Sequence, residues 1–280
     1  MSLKLLARAK INWSLAITGE RANGYHDLDM LMQRIELADE IYLERAQVLS
    51  LSVNGQHLPT DGRNLVLKAA EALCDVAGKR MGARIRLKKR IPARAGLGGG
   101  SADCAAALLG LNELWNLKLP LTLLTQLGLK LGADVPFCLS GGFARVQGVG
   151  EILTPLHPVP HTALALVTPG SGLSTPAVFK AWNAGGFAPR AIDSAALAEA
   201  LGSGDYERAQ LLSRNDLEAP AIALMPEIAQ CMAAFRAAGA RYVRMSGSGS
   251  TVFAAFDSDA AAQAAASRIP GAIVTHTCAE

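Results

Sequence analysis

The stretch Ile91-Pro92-Ala93-Arg94-Ala95-Gly96-Leu97-Gly98-Gly99-Gly100-Ser101 places four glycines within five positions. Directly after it, apolar residues recur at helical spacing, at Cys104, Leu108, Leu111 and Trp115. Ser101 is a suitable N-cap for this helix, and Asp103 falls in the first turn, where a helix favours acids. Glycines leave backbone N–H groups uncovered, and here these groups would converge with the positive end of the helix dipole. The stretch therefore predicts a phosphate-binding loop, because a flexible connector would not lead so directly into a capped helix.

This loop differs from the two most familiar phosphate-binding loops. A Walker A loop requires Gly-x-x-x-x-Gly-Lys-Ser/Thr, and no lysine lies between Lys89 and Lys118. A dinucleotide-binding fingerprint would place its third glycine at Ser101 and would follow a continuously apolar strand. Here residues 83–90 alternate between apolar and basic, which indicates a strand with one face toward solvent or an anion. The sequence thus indicates a third type of phosphate loop.

Composition limits the protein class. The 280 residues are enough for two domains, and no apolar run approaches the roughly 18 residues that span a bilayer. Charges interrupt the apolar N-terminus, unlike in a signal peptide, so we expect a cytoplasmic protein with no membrane partner. A net charge of +3 is too small to indicate nucleic acid. Neither the cysteines nor the histidines show metal-ligand spacing, so we expect reduced thiols and no metal held by the protein alone.

The N-terminal half contains three further segments of interest. Lys10 interrupts an apolar strand, either as a strand-end lysine whose ammonium group reaches water or as a functional cation. Tyr25 and His26 end a polar loop with Asn-Gly, where they either close a turn or hold a nucleobase. Asp134 follows a predicted helix, 121–131, and is paired with another group, caps a turn or acts in catalysis. We expect strands at 1–18, 31–37, 41–45 and 48–53, and a helix that begins at Asn64 and ends near Gly78.

Three prolines at positions 155, 158 and 160 divide the chain into predicted domains 1–154 and 155–280. Apart from a helical insertion at about 176–224, the second half reads β-α-β-β-α-β, with strands at 163–168, 241–246, 250–256 and 272–277. Ser246-Gly247-Ser248-Gly249-Ser250 joins the two central strands and has more serine and glycine than a tight hairpin needs. A glycine loop, a strand lysine and a semi-buried aspartate together suggest phosphoryl transfer.

These segments resemble the three motifs of the GHMP kinases, a family of small-molecule kinases. The matching segments are Ala9-Lys10-Ile11-Asn12, the run from Pro92 to Ser101, and the run from Met245 to Phe253. The resemblance implies an α+β fold with two α/β-type domains. Its N-terminal domain would be ribosomal-protein-S5-domain-2-like, and its C-terminal domain would be ferredoxin-like.

Three further segments resemble a branch of the family in the non-mevalonate isoprenoid pathway, whose small-molecule substrate carries a cytidine diphosphate group. They are Thr18 to His26, Leu131-Gly132-Ala133-Asp134-Val135-Pro136, and Gly148 to Leu153. The implied reaction is phosphorylation of a 2-hydroxyl by ATP, with Mg²⁺ accompanying the nucleotide. A kinase for another small alcohol, such as mevalonate or homoserine, and a non-catalytic nucleotide-binding regulator are the alternatives.

The resemblance assigns roles residue by residue. Asp134 would accept the hydroxyl proton, and Lys10 would keep Asp134 ionised and polarise the attacking oxygen. Asn12 would line the part of the substrate that bears the acceptor hydroxyl. The cytosine pocket would comprise Tyr25, His26 and Phe179. The ATP contacts would be Asn64 near the adenosine and, at the phosphates, Pro92, Ala93, Arg94, Ala95, Gly96, Leu97, Gly98, Gly99, Gly100, Ser101 and Ala102.

The sequence departs from the family pattern at two places. Ala102 stands where relatives often carry a second serine, which removes one hydroxyl for phosphate or Mg²⁺. Arg145 and Gln147 lie on a strand that is more apolar and acidic in relatives, and the sequence alone offers no reason for them. Either a monomer or a homodimer is compatible with the sequence.

Overall fold

The computed structural model describes residues 2–22 and 24–278. Its strands are β1 (Ser2–Glu20), β2 (His26–Ala46), β3 (Ser50–Asn54), β4 (Gly82–Lys88), β5 (Phe143–Gly148), β6 (Ile152–Pro155), β7 (Ala163–Val167), β8 (Tyr242–Met245), β9 (Val252–Phe256) and β10 (Ile273–His276). Its helices are α1 (Leu65–Ala77), α2 (Gly99–Leu114), α3 (Leu121–Leu131), α4 (Val135–Ser140), α5 (Thr175–Ala184), α6 (Ser194–Gly202), α7 (Tyr206–Leu212), α8 (Glu218–Leu224), α9 (Glu227–Ala237) and α10 (Asp259–Arg268). Within these described ranges, every helix is too short or too polar to cross a bilayer.

The chain forms two compact units built from interleaved segments. The first unit contains Leu37–Ile91, Gly98–Ser140 and the chain up to Ala9. The second unit contains Lys10–Glu36, Pro92–Leu97 and the chain from Gly141 onward. The glycine stretch thus contributes its first part to the second unit and its last part to the first. The division into domains 1–154 and 155–280 stays a prediction.

In the first unit, strands and helices share one hydrophobic core. Strand β4 pairs antiparallel with the 40–46 part of β2 and parallel with β3. Helix α1 packs against α2, and their apolar faces bury Leu73 and Leu108 together with Ile85 of β4. As predicted, α1 follows Asn64, whose side chain accepts a hydrogen bond from the Val66 N–H and so caps the helix.

The second unit confirms the predicted order β-α-β-β-α-β. Its four-stranded sheet has the order β10-β7-β9-β8, and all neighbouring strands are antiparallel. In the same unit, β5 pairs antiparallel with residues 28–33 of β2 and with β6. An aromatic cluster fills the core, where the Trp13 ring centroid lies 5.0 Å from that of Tyr242 and 5.4 Å from that of Phe253. The mixed α and β architecture with two sheets agrees with the predicted fold class.

The separate strands predicted at 31–37 and 41–45 form one continuous strand, β2. The polar residues Asp39 and Glu40 lie between the two predicted strands. Asp39 is fully buried, and its carboxylate accepts a hydrogen bond from the Ile91 N–H at 2.9 Å. Since tertiary contacts satisfy this side chain, the strand continues through it.

The predicted N-cap of helix α2 is also wrong. The helix begins at Gly99, and the cap residue is Gly98 in a left-handed conformation with φ 67°. Ser101 is therefore the third residue of the helix, and Asp103 lies beyond its first turn. Glycine at position 99 lets the helix start lie close to Ile91, because a Cβ atom there would be 2.9 Å from the Ile91 side chain.

Candidate active site

Within the second unit, segments of all three family motifs meet. The Lys10 N–H donates to the Leu97 carbonyl at 3.0 Å, which joins the first motif to the glycine loop. The Ser246 hydroxyl donates to the Gly96 carbonyl at 2.9 Å and accepts from the Asn12 N–H at 3.3 Å. Ser246 therefore connects the third motif to the other two, although more than 230 residues separate it from Asn12.

The Lys10 side chain lies inside the protein. It is 4% exposed, and its Nζ donates to the Asn12 Oδ1 at 2.6 Å. A Cβ atom at Gly247 would lie 3.3 Å from this Nζ, so the ammonium group lies against the third motif. Lys10 is therefore not a lysine whose ammonium group extends into water. The structure places a buried cation where the first and third motifs meet.

The third motif is a loop that side-chain hydrogen bonds hold in place, rather than a tight hairpin turn. The Asn215 Nδ2 donates to the carbonyls of Met245 and Gly247, both at 2.8 Å. The Ser250 hydroxyl donates to the Pro169 carbonyl at 2.7 Å, and Ser246 and Ser250 are fully buried. Sequence reasoning did not find Asn215, because it lies between Arg214 and Asp216 in a polar connection that gives no sign of burial.

Gly96 permits the close approach of the first part of the glycine stretch to the third motif. Its φ is 77°, and a Cβ atom there would lie 2.0 Å from the Ser246 carbonyl oxygen.

We expect Gly96→Ala to lower the free energy of unfolding by about 2–5 kcal/mol, because left-handed strain and overpacking both act. Gly186→Ala is the matched control, since its φ is 67° and no atom lies within 4 Å of the added Cβ. Urea denaturation compares the two, and equal losses would contradict the close approach.

The first unit holds the end of the glycine stretch beside the segment that contains Asp134. Helix α2 packs against α4, and a Cβ atom at Gly132 would lie 3.6 Å from the Ser101 Oγ. Asp134 is half-buried and directly precedes α4, where its carbonyl accepts the Cys138 N–H at 3.0 Å. Helix geometry leaves the N–H groups of Gly99, Gly100 and Ser101 without partners inside the helix, so they are suited to an anion.

Other residues of the predicted ATP site have structural roles in the first unit. Ala102 is buried in the hydrophobic core, and its N–H donates to the Gly98 carbonyl at 2.8 Å. The hydroxyl of a serine at position 102, which relatives often carry, would therefore face the hydrophobic core of this unit. Asn64 uses its amide oxygen to cap α1 and donates from Nδ2 to the Pro59 carbonyl. A contact between Asn64 and adenosine stays a prediction.

A buried charged triad of Lys89, Asp39 and Asp103 supports the start of helix α2. The Lys89 Nζ donates to the Asp39 carboxylate, and it donates to the Asp103 Oδ2 at 2.7 Å. All three side chains are at most 5% exposed. A Cβ atom at Gly99 would lie 3.4 Å from the Lys89 Nζ, so the triad lies directly against the glycine-rich helix start. Sequence reasoning had assigned Asp103 to the helix dipole and had not paired it with Lys89.

The triad predicts that stability depends on pH. Burial raises the pKa of Asp103 from 3.8 to about 7, against the opposing effect of Lys89. Between about pH 4 and 7, the folded chain keeps a proton that the unfolded chain releases, so stability decreases as pH rises. We expect Asp103→Asn to flatten this part of the unfolding free energy against pH, measured by urea denaturation at several pH values. Asp75→Asn, an exposed acid in the same unit, is the control and should leave the slope as in the wild type.

The residues predicted for a cytosine pocket are partly brought together. The His26 ring stacks on the Phe179 ring with centroids 5.0 Å apart, and Trp182 meets His26 edge-on at 5.1 Å. The His26 Nε2 lies 2.8 Å from the Asn183 Oδ1, which leaves Nδ1 for another partner. Tyr25 is 64% exposed, so its ring extends from the surface. His26 begins strand β2, and Asn23 of the predicted Asn-Gly turn lies outside the described residues.

The basic residues of strand β4, and Arg90 shortly after it, pair mainly with acids on β2. Arg84 and Arg86 lie 3.6 and 3.4 Å from the Glu44 carboxylate, and Arg90 pairs with Glu40. Because cross-strand pairs stabilise a sheet, these contacts explain the alternating basic pattern without a phosphate ligand. A strand face toward solvent, one of the two alternatives for this pattern, therefore fits Arg84 and Arg86, whose side chains are exposed.

The unexplained Arg145 also has a structural partner. Its Nε and Nη2 donate to the two carboxylate oxygens of Asp29 at 2.9 and 2.6 Å. The Ser194 hydroxyl donates to the same carboxylate at 3.1 Å, and Asp29 is buried. A two-point arginine contact is a strong way to compensate a buried carboxylate. Arg145 therefore holds β5 to β2 and connects both to helix α6. For Gln147 the structure offers no comparable reason.

Comparison with known proteins identifies the family. The GHMP kinases N terminal domain matches residues 64–142, and the GHMP kinases C terminal domain matches residues 197–273. A 4-diphosphocytidyl-2-C-methyl-D-erythritol kinase of Pelotomaculum thermopropionicum is 45% identical over 90% of this chain and 88% of its own length. One from Cereibacter sphaeroides is 47% identical over 95% of this chain and 94% of its own length.

A solved structure agrees with these relatives. The crystal structure of a 4-(cytidine 5'-diphospho)-2C-methyl-D-erythritol kinase superposes with a TM-score of 0.84 at 38% identity, covering 98% of this chain and 99% of that one. Both the sequence relatives and this structure thus match the chain along nearly its whole length. The chain belongs to the GHMP kinase family, is a small-molecule kinase, and within the family is similar to the 4-diphosphocytidyl-2-C-methyl-D-erythritol kinases.

Proposed function

We propose that this chain transfers the γ-phosphoryl group of ATP to the 2-hydroxyl of 4-diphosphocytidyl-2-C-methyl-D-erythritol. The observation that carries the proposal is the meeting of Lys10, Gly96 and Ser246, one residue from each family motif, within one unit. The identity of 45–47% to kinases of this name over most of the chain supports the substrate. The reaction belongs to isoprenoid precursor synthesis, which we place in the cytoplasm.

In the proposed mechanism, Asp134 accepts the proton of the substrate hydroxyl. The hydroxyl oxygen then forms its bond to the γ-phosphorus as the bond from that phosphorus to the bridging oxygen breaks, and ADP leaves. Lys10 contributes positive charge, which favours the ionised carboxylate and stabilises the charge that develops on the phosphoryl oxygens. The buried position of Lys10 suits this role, because a charge removed from water acts more strongly.

The phosphates would be held by the last part of the glycine stretch. Backbone N–H groups of Gly99, Gly100 and Ser101 start helix α2 and would face the anion. Mg²⁺ prefers oxygen ligands and commonly keeps few protein ligands beside the nucleotide phosphates. The Ser101 hydroxyl and the Asp134 carboxylate provide oxygen donors in the same unit, so this donor set fits Mg²⁺. When bound, the ion would neutralise phosphate charge.

The cytidine end would be recognised by His26, Tyr25 and Phe179. The His26 ring is held by Phe179, Trp182 and Asn183, so it is oriented before substrate binds. With Nε2 engaged by an amide oxygen, Nδ1 can accept a hydrogen bond from the amino group of a cytosine. The exposed Tyr25 ring offers a face on which a base can stack.

We expect His26→Ala to raise the KM for the cytidine-bearing substrate by about tenfold or more, because a base contact contributes about 1–3 kcal/mol. The KM for ATP should change much less. Steady-state kinetics with each substrate varied in turn measures both constants. His157→Ala, an exposed histidine, is the control. Equal increases in the two KM values would remove the cytosine assignment.

An assay of ADP release tests the function as a whole. The purified chain receives ATP and one alcohol at a time, namely 4-diphosphocytidyl-2-C-methyl-D-erythritol, mevalonate or homoserine, and mass spectrometry identifies the product. We expect a phosphorylated product only with the first. Turnover of mevalonate or homoserine instead would replace the proposed substrate, and ATP binding without turnover of any alcohol would indicate a regulator.

A further inference from the structure

Three metal-ligating side chains from distant parts of the chain meet on the second unit. They are Glu36 at the middle of β2, His161 before β7, and His276 at the end of β10. One ligand atom from each lies within 4.8 Å of the other two. None of the three belongs to a family motif or to the residues assigned to either substrate. The sequence did not predict this cluster, because metal-ligand spacing is sought among residues that are close along the chain.

Hydrogen bonds between neighbouring strands fix the backbone that carries these three side chains. His276 pairs with Ala163 in the sheet, and the Thr162 N–H donates to the Thr277 hydroxyl at 2.9 Å. Ile35 forms a bridge with Thr277, next to Glu36 and His276. The three side chains therefore project from neighbouring, fixed positions. A preorganised frame lowers the entropy that a ligand must overcome to bind.

Two of the distances between ligand atoms are near those around a tetrahedral ion, each to a different oxygen of the Glu36 carboxylate. The His276 Nδ1 lies 3.3 Å from the Glu36 Oε2, and the His161 Nε2 lies 3.6 Å from the Glu36 Oε1. Bonds of about 2.0–2.1 Å at tetrahedral angles separate neighbouring ligand atoms by roughly 3.3 Å. Two imidazoles and one carboxylate are a ligand set that suits Zn²⁺ and leaves a fourth position for water.

A second carboxylate orients the central histidine. The His276 Nε2 lies 2.8 Å from the Asp259 Oδ1, on the side of the ring away from Glu36. A histidine that binds a metal through one nitrogen usually donates the other N–H to a carboxylate, which fixes the tautomer and raises its basicity. Asp259 thus leaves the Nδ1 lone pair of His276 directed toward Glu36.

One ring must turn for both histidines to bind one ion. The rings of His161 and His276 are stacked, with centroids 4.6 Å apart and planes 11° apart, whereas a metal lies in the plane of each ligand ring. His276 is held by two carboxylates, but the His161 side chain is 59% exposed and can rotate about its side-chain bonds. We propose that Glu36, His161 and His276 form a surface site for a divalent transition metal such as Zn²⁺, with Asp259 orienting His276.

Calorimetric titration of the untagged full-length chain with ZnCl₂, without nucleotide, tests the site. We expect one ion per chain and at least a tenfold loss of affinity in His161→Ala and in His276→Ala. Asp259→Ala should lose about 10–100-fold, as outer carboxylates of metal sites do. His157→Ala removes an exposed histidine from the same connecting segment and should bind like the wild type. Circular dichroism checks that each variant is folded.

A second readout locates the ion. Cu²⁺ bound to the wild type should show nitrogen coupling in its electron paramagnetic resonance spectrum, and His161→Ala with His276→Ala should remove this coupling. Zn²⁺ binding that survives this double replacement would place the ion on other groups, such as thiols, and would overturn the proposal. Absence of binding by the wild type at millimolar Zn²⁺ would also overturn it. Neither result bears on the kinase reaction, which is measured separately.

Discussion

Replacing Asp134 with asparagine should lower kcat by about 10²–10⁴-fold, the range that a general base contributes. Asparagine keeps the size and polarity of the side chain but cannot accept the hydroxyl proton. Asp134 is half-buried and directly precedes helix α4, so the replacement disturbs no core packing. Asp134→Ala should behave in the same way. The measurement is steady-state turnover with saturating substrates.

Affinity for ATP should be retained in both Asp134 variants, because backbone groups of the glycine stretch are expected to hold the phosphates. Calorimetry with a non-hydrolysable ATP analogue tests this separation of binding from chemistry. Asp75→Asn is the control for the loss of an acid in the first unit. A kcat within about fivefold of the wild type in Asp134→Asn would contradict the role of Asp134 as base.

Replacing Lys89 with methionine should lower the free energy of unfolding by about 3–5 kcal/mol. The change leaves the Asp39 and Asp103 carboxylates buried without their shared cation, and removing one partner of a buried pair is costly for that reason. Because Lys89 contacts the start of α2 near Gly99, we also expect the KM for ATP to rise. Urea denaturation and steady-state kinetics measure the two effects.

Lys88→Met is the matched control for the buried lysine. Lys88 is the neighbouring residue, its side chain is 55% exposed, and it lies 4.0 Å from Glu40. A surface pair of this kind contributes about 0–1 kcal/mol, so the control should remain near the wild type. Equal stability of the two lysine variants would contradict the triad.

Local sequence patterns correctly predicted the helices whose ends are set by residues next to them in the sequence. Helix α3 lies between Pro120 and Gly132 as predicted, and Asn64 caps α1. The order of strands and helices after residue 160 was also correct. Sequence patterns were less reliable where distant groups satisfy polar side chains. The prediction of two separate strands was wrong at β2, which continues through Asp39 because residues 89–91, distant in sequence, supply the partners of this side chain.

The sequence by itself determined the kinase family and the order of elements after residue 160, because glycine spacing, caps and apolar periodicity act over a few residues. Tertiary structure alone decided the partners of charged and polar side chains. Lys89 neutralises Asp39 and Asp103, Asn215 holds the third motif, and Glu36 meets two histidines, all across long separations in sequence. Such pairings depend on which strands become neighbours. The geometry of the folded sheets decides this, and no local sequence pattern does.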